Sequence, residues 1–242
     1  VIVHTAAWTD LDACEANPAL ARTLHRDATL ALAEAAATAG ARFVYVSTDS
    51  LFVRVPGPHS EDDPIDPRSV YAKTKREGEE ASLTACSAAL VLRTCIVGWN
   101  AQPKASLAEW ILRELRAGRR IRAFTDTFFT PILTTTFSTA IERLVEREAH
   151  GILHVAGGEC ISKYDFALKL ADTFGLPQAL VVPSSSTDVS LKAPRPLRPC
   201  LDSSRFARLT GERLQTVNEA LIELRRLEDS GWTARLRASI QV

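Results

Sequence analysis

The order of the apolar runs constrains this chain most. Val1–Thr5, Phe43–Val46 and Leu90–Leu92 are short and continuous, and each reads as a buried strand. Between the first two, Asn17-Pro18 supplies an N-cap followed by proline at the first helical position, and an Ala/Leu-rich helix runs on to Gly40. Between the second and third lies a polar, Pro-rich loop over residues 53–69, then a helix from near Val70 to Ala85. Parallel strands need a helix-length crossover, so this strand–helix alternation predicts an α/β fold with a parallel sheet and helices on its faces.

After Trp99 the pattern loosens. Helices are expected near 105–117, 136–147, 163–174 and 216–228, with short strands near Ile152–Val155 and Leu180–Val182. Ser162 and Asp165 have the spacing of a capping box. Pro183–Pro199 reads as irregular loop. The expected division is residues 1–135 for the sheet domain and mostly 136–242 for a smaller C-terminal lobe, with a soft boundary.

Composition removes several function classes. The 29 basic and 29 acidic side chains balance, so no basic excess supports nucleic-acid binding. No run approaches the ~18 apolar residues of a membrane span. Cys14, Cys86, Cys95, Cys160 and Cys200 are scattered without zinc or redox spacing, and the expectation is reduced, mostly buried thiols in a cytoplasmic protein. His4, His25, His59, His150 and His154 fall on separate elements, so no metal site is expected. The chain opens without Met, directly on a strand, which leads us to expect an upstream segment.

Ligands of open parallel sheets bind beyond the carboxyl ends of the strands. Those ends are Thr5-Ala6-Ala7, Ser47-Thr48-Asp49 and Arg93-Thr94-Cys95. Small side chains at Ala6 and Ala7 allow close approach to the backbone. Tyr71 and Lys75, four apart on a helix, share one face. An ammonium beside a phenol favours the phenolate, so Lys75 is expected to lower the pKa of Tyr71 towards the range of a general acid. Thr48 could hold a substrate carbonyl while Tyr71 protonates it.

Pro67 to Glu79, with Tyr71 and Lys75 inside it, resembles the active-site helix of the extended short-chain dehydrogenase/reductases, and Ser47-Thr48-Asp49 resembles the strand end carrying their catalytic hydroxyl. Within that superfamily the chain most resembles the dTDP-4-dehydrorhamnose reductases. His4 to Asp12, Val44 to Phe52, Glu61 to Pro64 and Leu92-Arg93-Thr94 carry this likeness. Phe129-Thr130-Pro131, His154 to Gly157 and Arg195-Pro196 match more weakly.

The resemblance implies a Rossmann-like sheet, NADP or NAD as cofactor, and reduction of a 4-keto group on a nucleotide-linked deoxysugar, as in dTDP-rhamnose biosynthesis. It implies catalytic roles for Thr48, Tyr71 and Lys75. Cofactor contacts would come from Ala6, Ala7, Tyr71, Lys75 and Thr94. Substrate contacts are expected from Asp49, Trp8, Trp99, Phe128 and Arg195. A homodimer is implied as well, although no interface is legible.

Three departures stand out. The glycine-rich pyrophosphate turn is absent, and in the family two βα units would precede Val1. His25 stands where the family usually carries Asn, as an altered hydrogen-bonding relay or a partly exposed helix residue. Val53-Arg54 replaces an Asp-Gly turn. Two other readings stay open: an epimerase or dehydratase of the same superfamily with Asp49 assisting, or a non-catalytic subunit resembling the regulatory subunit of methionine adenosyltransferase.

Overall fold

Four parallel strands form the main sheet of the computed structural model, which describes residues 1–53, 57–102, 104–190 and 192–239. The first is β1 (Ile2–His4). Helix α1 (Leu11–Ala16) follows, its N-terminus capped by the Asp10 carboxylate, which accepts from Ala13 N. Asn17 then caps α2 (Pro18–Arg22). A π turn over Thr23–Asp27 joins α2 to α3 (Ala28–Thr38) without breaking the helical run. Gly40 adopts a φ of +61° just beyond that run, a conformation that glycine enters without steric cost. The single helix expected from Pro18 to Gly40 is thus continuous but widened at residues 23–27.

Next come β2 (Phe43–Val46), α4 (Val70–Ala85) and β3 (Leu90–Arg93). Ser69 caps α4 by accepting from Ala72 N at 3.1 Å. The chain then forms β4 (Ile96–Val97), α5 (Leu107–Arg116), β5 (Ile121–Phe124), β6 (Phe128–Phe129), β7 (Ile132–Leu133) and α6 (Thr134–Glu146). It continues through β8 (Gly151–His154), β9 (Ile161–Ser162), α7 (Lys163–Thr173), β10 (Val181–Ser184), α8 (Ser204–Thr210), α9 (Val217–Asp229) and α10 (Trp232–Ala238).

The main sheet has the order β1-β2-β3-β8, with Val44 beside both Val3 and Leu90, and Arg93 beside His154. Three smaller pairings build the second lobe: β5 with β10, β4 with β7, and antiparallel β6 with β9. The lobes interleave in sequence. Strand β8 lies beyond residue 135 yet completes the main sheet, while β5 lies before it yet pairs with β10. The stretch expected as loop from Pro183 likewise begins inside β10.

Separate apolar clusters follow the two lobes. Val44, Leu90, Leu92, Phe137, Leu144 and Leu153 pack under the main sheet. Trp99, Leu112, Phe129, Phe166, Leu170 and Leu224 fill the small lobe.

Two expectations need correction. Ser162 does cap α7, accepting from Asp165 N at 2.9 Å, but its hydroxyl donates to Asp165 Oδ2 at 2.6 Å. The carboxylate is spent on the capping hydroxyl instead of reaching back to the backbone as a capping-box glutamate does. The cysteines are also not all reduced: Cys160 and Cys200 form a disulfide, with Cα atoms 5.6 Å apart. The 40 residues between them hide the pairing from any local spacing rule, because only the fold brings the two segments together. Cys14, Cys86 and Cys95 are free thiols.

Candidate active site

The carboxyl ends of β2 and β3 deliver Thr48, Asp49, Thr94 and Cys95 to one place, and α4 presents Tyr71 to them. The Tyr71 phenol is hydrogen-bonded to the Thr48 hydroxyl. Thr48 Oγ1 accepts from Ser50 N at 3.2 Å and lies 3.3 Å from Asp49 Oδ1, to which it donates. Asp49 N donates to Thr94 O at 3.2 Å, which ties the two strand ends together. Thr48, Asp49 and Thr94 are buried, and Tyr71 is partly exposed.

Burial sets the protonation of this group. Desolvation pushes Tyr71 well above the ordinary phenol value, against the smaller opposing effect of its hydrogen bond with Thr48. The expected depression by Lys75 is therefore not found. Lys75 is buried, donates to Val46 O at 2.7 Å, and sits 4.1 Å from the centre of the Tyr45 ring. Desolvation lowers its own pKa to about 7, partly offset by the Glu79 carboxylate. The spacing correctly places Tyr71 and Lys75 on one helix, but the strand carbonyl and the Tyr45 ring hold the ammonium.

His25 is fully buried, which rules out the partly exposed alternative. Its Nε2 accepts from Trp8 N at 2.9 Å, so the neutral ring carries its proton on Nδ1 and donates to Thr74 Oγ1 at 2.8 Å. Thr74 in turn lies within hydrogen-bond distance of the carbonyls of Val70 and Tyr71. The His25 ring meets Tyr71 edge-on, with centroids 5.5 Å apart. Desolvation, followed by the Lys75 charge, lowers its pKa to about 4. The π turn places this ring against α4, as π turns often do at functional positions. Gly78 permits the approach, since a Cβ there would strike the carbonyl of His25 and the hydroxyl of Tyr45.

The other expected residues are distributed as follows. Ala6 and Ala7 follow β1 after Thr5, and Trp8, partly buried, is tied to His25 through its backbone. Arg195 forms an ion pair with Asp12 at 3.3 Å. Phe128 lies under the Arg198 guanidinium, 4.4 Å from its ring centre. Trp99 belongs to the small-lobe core, with its indole N–H donated to Leu224 O at 2.9 Å, and it forms part of the wall of a cavity of about 840 Å³ beside α5. Of the unusual Val53-Arg54 turn, Arg54 lies outside the described residues.

Sequence reasoning missed two members of the site. Cys95 donates to the Asp49 carboxylate, and burial raises both their pKa values. Lys163, from α7, is close enough for its charge to act on both. Cys95 lies at a strand end already singled out, but nothing local marked its bond to Asp49, and Lys163 reaches the site only through tertiary packing. Among the described residues no cluster of His, Cys, Asp or Glu could hold a metal ion. No described helix is long and apolar enough to cross a membrane.

A helix-borne Tyr–Lys pair at the carboxyl end of a parallel sheet, with a threonine hydroxyl on the phenol, is the arrangement of the extended short-chain dehydrogenase/reductases. Within that class the chain belongs to the RmlD substrate binding domain family, whose model matches residues 1–227. The chain is similar to the dTDP-4-dehydrorhamnose reductase of Mycobacterium tuberculosis, at 32% identity over 214 residues, covering 86% of this chain and 70% of the relative. It is equally similar to methionine adenosyltransferase 2 subunit beta of Xenopus tropicalis, at 32% identity over 216 residues, but spans only 64% of that protein's length. A crystal structure of a dTDP-4-dehydrorhamnose reductase from Clostridium acetobutylicum superposes with a TM-score of 0.87 at 25% identity, covering 94% of this chain and 80% of that one.

Proposed function

We propose that this protein reduces a 4-keto group on a nucleotide-linked deoxysugar, with NADPH or NADH as the reductant, as a dTDP-4-dehydrorhamnose reductase. The observation that carries this reading is the neutral Tyr71 phenol hydrogen-bonded to Thr48, with Lys75 one turn along the same helix. In this reading the main sheet and α4 bind the cofactor, the small lobe binds the sugar, and the cytoplasmic enzyme works as a homodimer.

The residues present fit the nicotinamide end of such a cofactor. Thr94 Oγ1 is buried without a protein partner among the described residues, Lys75 offers an ammonium to a ribose hydroxyl, and Ala6 and Ala7 leave room against the backbone. When bound, the dihydronicotinamide supplies the hydride. Thr48, whose single O–H rests on Asp49 Oδ1 at 3.3 Å in the free protein, turns it to the ketone oxygen and fixes its direction. Tyr71, kept protonated by burial, gives its proton to that oxygen as negative charge develops there. Lys75 then stabilises the phenolate left on Tyr71.

The test follows NADPH and NADH absorbance with a dTDP-4-keto-6-deoxyhexose and the full-length protein. Tyr71→Phe is expected to cost about 10²–10⁴-fold in rate. Similarity to the beta subunit supports a second reading, a non-catalytic partner subunit. Cofactor that binds but is never consumed, with Tyr71→Phe indistinguishable from wild type, would establish that reading instead. Asp49 beside Thr48 keeps a dehydratase in play, and water loss from a 4,6-dehydratase substrate in place of ketone reduction would mark it.

A further inference from the structure

We propose that the Cys160–Cys200 disulfide is a thiol-operated switch. A low-molecular-weight thiol attacks Cys160 Sγ from the adjoining cavity and frees a strap that shapes the sugar side of the site. The proposal rests on the reductase reading and adds its regulation.

The strap is residues 193–200, which run from α1 to the start of β9 without forming helix or strand. At one end Ala193 N donates to Asp12 Oδ1 at 2.9 Å, and Arg195 pairs with the same carboxylate at 3.3 Å. Midway, Leu197 O accepts from Phe128 N at 2.7 Å and Arg198 O from Gly57 N at 3.2 Å. At the other end Cys200 O accepts from His59 N at 2.7 Å, and the side chain is bonded to Cys160, just before β9. Pro194, Arg195, Leu197 and Arg198 are exposed. Exposed backbone held by single hydrogen bonds opens at low cost, so the covalent bond is the firm anchor. The strap carries Arg195 and braces Phe128 with the Arg198 guanidinium at 4.4 Å. Arg195 and Phe128 are two of the substrate contacts that the family likeness implies.

The two cysteines are not equally reachable. Cys200 is fully buried, whereas Cys160 is partly exposed and lines a cavity of about 370 Å³ together with Gly158, Ser203 and Arg213. Exchange depends on access to the sulfur attacked, so the incoming thiolate bonds to Cys160 Sγ. The S–S bond breaks, and Cys200 leaves as a thiolate that takes up a proton. A second thiol then attacks the small molecule's sulfur in the mixed disulfide. This releases Cys160 as a thiol and a disulfide of the two small molecules, so two electrons pass from two thiols to the protein. In the cytoplasm of the reductase reading, where thiols are in excess, disulfides are usually of this transient kind.

The experiment compares full-length wild type, oxidised and after equilibration with reduced glutathione, with Cys160→Ser and Cys200→Ser. Given oxidised glutathione, Cys200→Ser should take up one glutathione at Cys160, and Cys160→Ser none at Cys200, read by peptide mass mapping. In wild type, reduced glutathione should speed amide exchange at His59 and Phe128, the donors to Cys200 O and Leu197 O, and reoxidation should restore it. Calorimetry with a nucleotide-linked 4-keto-6-deoxyhexose should show binding about 2- to 10-fold weaker in the reduced form, the cost of re-ordering about one side chain. In steady state the change should appear in KM and not in kcat, with NADPH binding unchanged. Oxidised and reduced wild type are compared directly, so the test stands even where a variant does not fold. A bond that reduced glutathione leaves closed, glutathione on Cys200 in place of Cys160, or equal sugar binding in both redox forms would overturn the switch and leave the reductase reading intact. A strap that loosens and binds the sugar more weakly on reduction, in a protein that reduces no ketone, overturns the reductase reading and leaves the switch standing.

Discussion

Helix α4 serves two buried polar clusters about two turns apart, and they are built in opposite ways. At Glu79 the carboxylate is saturated: Ser47 Oγ donates at 2.6 Å, Arg93 through Nε at 2.9 Å and Nη2 at 2.8 Å, and Arg76 Nη1 at 3.0 Å. These donors outweigh burial and hold its pKa below the usual carboxylate range. At the Tyr71 end, burial wins and pushes Tyr71, Asp49 and Cys95 upward. Where charged donors surround the carboxylate, as Arg93 and Arg76 do Glu79, the charge is fixed; where the hydrogen bonds come from neutral groups, as at Asp49, desolvation outweighs them. The first arrangement locks a helix to a sheet; the second keeps a proton for transfer.

The sharpest way to break this contrast is to exchange the symptoms of the two clusters. Tyr71→Phe should remove about 10²–10⁴ in rate, equivalent to about 3–5 kcal/mol of barrier, and leave the urea midpoint unmoved. Glu79→Ala strands the buried Arg93 guanidinium and should cost about 3–5 kcal/mol of stability, read as a drop in that midpoint. A large loss of stability in Tyr71→Phe would place Tyr71 with the structural cluster. The pH dependence has a definite sign. Because the folded pKa of Glu79 is below its ordinary 4.5, its contribution is complete above that value and is lost as pH falls through the folded one. Glu79→Gln should flatten that acid limb.

Much of this contrast was legible before any coordinates, but unevenly. Strands β2 and β3, helix α4 and the Tyr71–Lys75 pair follow from local periodicity and an i, i+4 rule, which depend on neighbours in sequence. The saturation of Glu79 does not, since its donors Ser47 and Arg93 lie 32 and 14 residues away. For the same reason Lys163 was missed while Thr48 was found. The two-residue strands β4, β6, β7 and β9 carry too few residues to show a period of two. The direction of the Tyr71 shift was misjudged because desolvation, a property of the packed site, outweighed the one partner visible in the sequence.

The Cys160–Cys200 bond extends the comparison to the small lobe, where covalent linkage does what saturation does at Glu79. The stretch leading to Cys200 after β10 carries few regular elements: Cys200 O accepts from His59 N, Leu197 O from Phe128 N, and Ala193 N reaches Asp12. Closing a 40-residue separation limits the unfolded chain by about 4 kcal/mol in the loop-entropy model. Cys160→Ser should lower the unfolding free energy by up to that amount, read from the guanidinium midpoint, and reductant should bring wild type to the same midpoint. Thiol titration of the denatured protein should count the three free cysteines before reduction and five after. Five before reduction would remove the bond from the account.

The smallest expected effect concerns His25, which touches Tyr71 yet is saturated like Glu79. Both ring nitrogens are engaged, and the ring is held neutral by a pKa lowered from 6.5 to about 4. An unfolded chain protonates this histidine first, so its contribution is complete above pH 6.5 and is lost as pH falls towards 4. In that window each such histidine gives a slope of about 1.4 kcal/mol per pH unit, and His154, also near 4, adds a second share. Glutamine can accept from Trp8 N–H and donate to Thr74 with no proton to gain. His25→Gln should therefore remove the His25 share of the slope, seen in unfolding midpoints across the window, and keep kcat at neutral pH within a few-fold. A kcat loss as large as that of Tyr71→Phe would move His25 from the cluster that holds the site to the group that does its chemistry.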